Sequence, residues 1–393
     1  MRALVLAVLL ACPLAASTQD RDRPGDNFVA TVADACSGRF DRLPPRYYEM
    51  RVERLQGALA PSRLDNAQAL GAADNLCVAL LRLGRFPAAL QVLDRKAAAL
   101  EGLRGRDALL FNAHSNRTLK NRAMCLLARW RQGGDARDLE AALALVQRAA
   151  KEAPHISENA LLAREFEFWR RAQPPTDGLF PNLLGIREVD VRAGRPGALQ
   201  ALRLPDAITH LARRVTYGGE YQSADLFYAL SLACAAEGRT GDAGLCWARL
   251  CDLIESGARV HAQHSLGNDA LKRATASHLG SADLAGYRRR LEALKREAAT
   301  WAKERGAMIA QALERGEHPD TMPTFWTRWM EQEPAPEPDA FTALEPEEDA
   351  QPLVGTALWI GGVAAALFLF LVVGGLAIYF ARRHPAAPSV DEL

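Results

Sequence analysis

The sequence predicts an all-α domain anchored by one membrane-spanning helix, and three observations lead to that prediction. Between residues 64 and 301, Ala-, Leu- and Arg-rich segments repeat apolar residues at the helical period, with Gly and Pro between them and almost no alternating strand pattern. A short apolar segment begins the chain, and a long uncharged segment lies near its end. Periodic helices, a leader and a span together define the expected architecture.

The first element, residues 1–17, is typical of a secretory signal peptide. Its apolar core follows a single basic residue, Arg2, and small residues at Ala15 and Ser17 have the spacing that signal peptidase prefers. The core is too short to span a bilayer. Lipidation at Cys12 is the alternative, although it would leave even less apolar sequence before the modified residue. We therefore expect an exported chain.

The central element is a helix–turn–helix pattern, clearest in residues 66–100. Gly84 stops the first helix, and the apolar residues after it point back toward those before it, as in an antiparallel pair. Ala89 is small where the two helices would approach most closely. The facing positions of this pair are Leu76, Leu80, Leu83, Phe86, Ala89, Leu90 and Leu93.

Similar patterns recur in residues 120–154 and 224–256, with turns at Gly133 and Gly238. Apolar spacing, a turn Gly and small Ala in the second helix resemble the tetratricopeptide repeat (TPR). The resemblance implies a right-handed solenoid of helical hairpins over an ectodomain of residues 18–330. The copies depart from a steady period, and a Pro/Gly-rich insert at 171–197 separates them. A helical-hairpin domain that only mimics the repeat is the alternative.

A long helix over residues 282–315, capped by Ser281, follows the last copy. Its apolar stripe has nearly heptad spacing, and Arg305 interrupts it. We expect this helix to cover the end of the solenoid, and a coiled-coil dimer arm is the alternative. The stripe consists of Leu284, Tyr287, Leu291, Leu294, Ala298, Trp301 and Met308.

Residues 331–352 are predicted to form a disordered stalk. Between residues 331 and 350 lie eight acidic residues, no basic ones and four prolines, so the segment repels itself and cannot bury a core. Without the stalk, the signal and the tail, the chain carries a net charge of about +8. Its basic residues are scattered singly without interleaved aromatic residues, which argues against nucleic acid as a partner.

Residues 353–380 carry no charge over more than the roughly 20 residues that a membrane helix needs. Arg382 and Arg383 follow at once, so the positive-inside rule places the tail, residues 381–393, in the cytoplasm. The Ala-, Arg- and Gly-rich composition favours a bacterial inner membrane with a periplasmic domain. Ala357, Gly361 and Ala365 form a small-residue face on which a second copy could pack as a homodimer.

Six cysteines remain after signal removal, and no two have the spacing of a thiolate metal site. In an oxidising compartment they can form disulfides. Alternatively, those on apolar helical stripes pack as buried free thiols. The six are Cys36, Cys77, Cys125, Cys234, Cys246 and Cys251.

No catalytic motif is found in the sequence, which lacks a phosphate-binding loop, a nucleophile elbow and a zinc-protease motif. His261 and His264 have no close third ligand, and Glu165 and Glu167 would point in different directions on a helix. We therefore predict no catalytic residue, metal or cofactor. The predicted function is that of a membrane-anchored scaffold for protein–protein interactions in the cell envelope. The alternatives are a subunit of an envelope assembly or receptor complex, and an enzyme with an unfamiliar helical active site.

Candidate partner-binding residues follow from the TPR resemblance, which implies a ligand groove lined by the first helix of each hairpin. Arg82, Asn121 and Arg131 would donate hydrogen bonds to an acidic protein or peptide partner, with the acidic stalk as a tethered competitor. Ordinary solvated side chains are the alternative. Matching the turn glycines gives the full set of Asp74, Arg82, Asn121, Arg131, Asp225 and Tyr228.

Overall fold

A computed structural model describes residues 31–59, 64–171, 182–186, 191, 194–217, 220–258, 260, 268–280, 283–322 and 325–326. These residues form thirteen α-helices, one 3-10 helix at Pro319–Thr321 and no strand, which confirms the all-α prediction. The α-helices are α1 (Val32–Ser37), α2 (Pro45–Leu59), α3 (Ala67–Arg82), α4 (Phe86–Leu103), α5 (Ala108–Arg131), α6 (Ala136–Glu152), α7 (Ser157–Arg170), α8 (Ala198–Ala201), α9 (Ala207–Thr216), α10 (Ala224–Ala236), α11 (Thr240–Glu255), α12 (Asn268–Ser277) and α13 (Leu284–Glu314).

Several predicted elements lie outside the described residues. The chain divides into two units, Met1–Glu333 and Pro334–Leu393, and the second is not described. Within the described ranges, no helix combines the length and the apolarity needed to cross a bilayer. The elements outside are the signal peptide (1–17), the stalk (331–352), the span (353–380) with Ala357, Gly361 and Ala365, the tail (381–393), and His261 and His264.

Three glycines end the first helices of the three predicted hairpins. Gly84, Gly133 and Gly238 have φ angles of 67°, 93° and 75°, in the left-handed region that glycine adopts without strain. In each turn, the amide after the glycine donates to the carbonyl five residues earlier, which is the Schellman pattern of helix termination. The three hairpins therefore share one geometry of helix termination, although the second connection is one residue longer than the other two. The bonds run from Arg85 to Leu80, from Gly134 to Arg129 and from Arg239 to Cys234, at 2.9, 3.0 and 2.8 Å.

Successive helices pack against one another along the chain. Contacts join each helix to the next from α2 through α7 and again from α9 through α11, while α3 also contacts α5 and α7 contacts α9. Ala89, Ala142 and Ala243, on the second helices of the three hairpins, are fully buried. A methyl side chain at these positions lets the two helices of a hairpin approach closely.

The two ends of the described chain meet. Helix α1 contacts α9, α11 and α13. Arg305 on α13 forms an ion pair with Asp41, and the Tyr47 hydroxyl on α2 donates to Asp320 Oδ1 at 2.6 Å. Arg305 interrupts the apolar stripe of α13 because it is buried and paired with a residue 264 positions away.

Helix α13 packs against α11 and α1. Its first turn is capped by Asp283, whose Oδ1 accepts from the Gly286 amide at 2.8 Å. Tyr287, Leu291 and Ala298 of the predicted stripe are buried within the chain itself. The middle of the stripe is thus occupied by intramolecular contacts, which favours the covering role over a dimer arm.

Replacing Gly244 by alanine should destabilise the domain by about 1–3 kcal/mol, because the new methyl group would overlap the Tyr287 ring where α13 crosses α11. The matched control is Gly71→Ala on α3, where a methyl group meets no atom within 4 Å. That change should stabilise the domain by about 0.5–1 kcal/mol through helix propensity alone. Urea unfolding of both variants measures the difference, and equal effects would contradict the close crossing.

Candidate functional site

The first candidate site is a buried polar cluster around Asp74, contributed by α3, α4 and α5. Asp74 Oδ1 accepts from Lys96 Nζ at 2.6 Å and from Asn121 Nδ2 at 3.0 Å. Asp74 Oδ2 lies 3.7 Å from both His114 Nδ1 and Arg117 Nη1. Lys96 is fully buried and Asp74 is 1% exposed. We call these five residues the Asp74 cluster.

The sequence forms this cluster through the helical period of α5. His114, Arg117 and Asn121 are spaced by three and four residues, so they lie on one face of the helix. Asp74 and Lys96 come from the preceding hairpin, and therefore the cluster exists only where α5 packs on α3 and α4.

Neighbouring donors keep the Asp74 carboxylate ionised. Burial alone would raise the pKa of Asp74, but His114, Lys96 and Arg117 outweigh it and hold the pKa below its ordinary value. Burial in turn lowers the pKa of Lys96, against the attraction of Asp74. The result is a charged pair in the interior whose partners depend on each other.

The second candidate site is a buried ion-pair cluster around Glu165, contributed by α5, α7, α9 and the segment before α10. Glu165 Oε1 accepts from Arg214 Nη2 at 2.7 Å and from Trp169 Nε1 at 3.3 Å. Arg214 Nη2 also lies 3.1 Å from Glu220 Oε1. Arg131 pairs with Glu220 as well, and its guanidinium lies 4.4 Å from the centre of the Trp169 ring. These residues, with His210, are the Glu165 cluster.

The charges of the Glu165 cluster are strongly coupled. Burial would raise the pKa of Glu165, but Arg214, His210 and Arg131 hold that pKa far below its ordinary value. His210 Nε2 lies 3.9 Å from Glu165 Oε2. Because Arg214 is fully buried, the carboxylates of Glu165 and Glu220 are what permit its charge in the interior.

The predicted groove residues fall mainly in the interior of the fold. Asp74 and Asn121 are hydrogen-bonded to each other, and Asp225 and Tyr228 are buried on α10. Arg82 donates to the backbone carbonyl of Tyr217, and Arg131 pairs with Glu220 in the Glu165 cluster.

Arg82, Asn121 and Arg131 each already have an acceptor within the chain, and their role toward a partner stays a prediction. Arg82 and Arg131 lie at equivalent positions, two residues before their turn glycines, and both reach the segment between α9 and α10. Reversing their charges would also affect stability, contrary to the expectation for solvated side chains.

Sequence reasoning did not identify most members of the two clusters. It did place Glu165 and Glu167 on different helix faces, and the structure confirms this, since Glu165 is buried while Glu167 pairs with Arg170 near the surface. The polar stripe on α5 was a signal that the sequence offered. The missed residues are Lys96, His114, Arg117, Trp169, His210, Arg214 and Glu220.

Stability should fall when the pH drops below about 5, because the pKa values of Glu165 and Asp74 in the folded protein lie below the ordinary 4.5 and 3.8. The unfolded chain then binds more protons than the folded one, so the contribution is complete above that pH and is lost on acidification. Urea midpoints between pH 7 and pH 3.5 measure it. In Glu165→Gln the slope over this range should be shallower, and an unchanged slope would contradict the ion pairs.

In neither cluster is the carboxylate placed as a general base, since each already accepts from an Arg or Lys. Among the residues that the structure describes, no group of three or more His, Cys, Asp or Glu side chains is arranged to hold a metal ion. The arrangement supports interior ion pairing between helices. Neither a protein-family model, nor a curated protein, nor a solved structure matches the chain.

Proposed function

We propose that the chain is a membrane-anchored, exported scaffold with a TPR-like solenoid of helical hairpins that binds a protein or peptide partner. The observation that carries the proposal is the turn geometry shared by the hairpins at Gly84, Gly133 and Gly238. All three hairpins end their first helix in the same way, and stacked helical hairpins are a common framework for protein recognition.

Contacts within the chain affect which side chains we assign to partner binding. Arg131, Asn121 and Asp74 are committed to partners within the chain, so the proposal assigns recognition to exposed side chains rather than to these residues. Without the acidic stalk, the predicted ectodomain carries a net charge of about +8, which favours an acidic partner and binding that weakens as salt rises.

The predicted stalk and membrane span would hold the helical domain at the membrane. Residues 353–380 would span the membrane, and residues 331–352 would give the domain reach above it. Self-association through Ala357, Gly361 and Ala365 stays a prediction of the sequence. A reporter that works only outside the cytoplasm should be active when fused after residue 330 and inactive when fused after Leu393. Activity after Leu393 would contradict the topology.

Crosslinking and capture of the tagged full chain in its native membrane test the scaffold function. The matched control carries the signal peptide fused directly to residues 331–393, so it keeps the stalk, the span and the tail but lacks the helical domain. We expect one or more proteins to be recovered with the full chain only, and less of them at high salt. Recovery of the same proteins in equal amounts by the control would contradict the proposal.

A further inference from the structure

Two pairs of cysteines meet in the core. Cys77 on α3 and Cys125 on α5 have their sulfurs 3.6 Å apart, and the sulfurs of Cys36 on α1 and Cys246 on α11 are separated by the same distance. All four residues are fully buried. A disulfide bond is about 2.05 Å long, so the sulfurs of each pair would have to move about 1.5 Å closer to bond.

We propose that Cys77–Cys125 and Cys36–Cys246 are disulfide sites, oxidised as the chain folds outside the cytoplasm. The proposal rests on the proposed export, because that compartment supplies disulfides as oxidants. One bridge would join α3 to α5 and the other would tie α1 to α11. Each would close a long loop, of 48 and 210 residues respectively.

The reaction is thiol–disulfide exchange with an external disulfide, either a thiol oxidase or oxidised glutathione. The thiolate of one cysteine attacks the external disulfide, forms a mixed disulfide and releases one external thiol. The second cysteine then attacks the mixed disulfide, forms the bond within the chain and releases the other external thiol. Two protein thiols are oxidised and one external disulfide is reduced.

Burial of the cysteine thiols indicates when they would be oxidised. A hydrogen bond with Cys125 and burial together raise the pKa of Cys77 well above its ordinary value. Burial and the neighbouring thiols of Cys234 and Cys36 do the same for the pKa of Cys246. A buried thiol that stays protonated reacts slowly, so oxidation belongs to the folding chain rather than to the finished core.

Cys246 has a second thiol neighbour, Cys234, in its own hairpin. A bridge between Cys234 and Cys246 would close a loop within one hairpin and would not crosslink α1. The thiols of Cys234 and Cys36 both contact Cys246, and the sulfur of Cys36 lies 3.6 Å from that of Cys246 although the two residues are 210 positions apart. We therefore assign Cys36 as the partner of Cys246.

Refolding of the unfolded full chain in detergent tests the assignment. One sample refolds with a mixture of oxidised and reduced glutathione, and the other with an excess of a reducing agent. After free thiols are alkylated, mass spectrometry of the peptides should identify the pairs Cys77–Cys125 and Cys36–Cys246 in the first sample only. The oxidised protein should melt on the order of 5–10 °C above the reduced one.

The control Cys251→Ser should retain both bridges, since this thiol lies outside both pairs. In Cys77→Ser the melting shift between oxidised and reduced samples should shrink. Six alkylated thiols after oxidative refolding would overturn the proposal, and a Cys234–Cys246 bridge would overturn its second half. These results do not depend on topology, so failure of the reporter fusions would be a separate finding.

Discussion

Replacing Arg214 by leucine should lower the free energy of unfolding by about 3–5 kcal/mol, since it leaves two buried carboxylates without their shared partner. Arg214 is fully buried, and its Nη2 serves Glu165 and Glu220 together. Urea unfolding of the full chain in detergent measures the loss.

The matched control is Arg213→Leu on the same helix, because Arg213 is exposed. That change should alter the free energy of unfolding by no more than about 0.5 kcal/mol. Similar losses in the two variants would mean that Arg214 has no special role, and the Glu165 cluster would lose its support.

Replacing Asp74 by alanine should have an effect of similar size, about 3–5 kcal/mol, because the fully buried Lys96 ammonium would lose its carboxylate. Asp74→Asn separates charge from shape, since the amide oxygen still accepts from Asn121 but carries no charge. We expect Asp74→Asn to be less destabilising than Asp74→Ala and more destabilising than a surface change.

Asp94→Ala is the control for this cluster. Asp94 pairs with Arg122 across two helices as Asp74 pairs with Lys96, but its side chain is 57% exposed. Exposed pairs contribute about 0–1 kcal/mol, so this variant should be nearly neutral. A loss at Asp94 as large as that at Asp74 would contradict the burial of the Asp74 cluster.

The helices and their turns could be predicted from the sequence because local chemistry determines them. Gly84, Gly133 and Gly238 end their helices since the chain there needs a positive φ, and apolar residues at the helical period mark the packed faces. The all-α fold class can therefore be predicted from short windows of sequence.

The interior clusters could not be predicted in the same way, because they depend on contacts between distant parts of the chain. Glu165 and Arg214 are 49 residues apart, and Arg131 and Glu220 are 89 apart. Arg213 and Arg214 are adjacent and chemically identical, yet only Arg214 shares a helix face with the buried Leu211. The position of Arg214 on its helix indicates that it is buried, but it does not predict which carboxylate pairs with it.

For the same reason the contacts of the candidate groove residues could not be predicted. A resemblance to TPR proteins implies a groove along the first helix of each hairpin, but it does not predict which residues of this chain contact those helices. Here the segment between α9 and α10 reaches Arg82 and Arg131, so side chains expected to meet a partner meet the chain itself. The contacts of these charged residues are determined by residues that are distant in the sequence.

The central claim is that buried ion pairs join parts of the helical chain that are distant in sequence, and a double-mutant cycle between Arg131 and Glu220 tests it most directly. The variants are Arg131→Met, Glu220→Gln and the double replacement, compared by urea unfolding. We expect a coupling free energy of about 1–3 kcal/mol, because the two side chains pair where little solvent reaches them. Losses that add to within about 0.5 kcal/mol would show that the two residues do not meet.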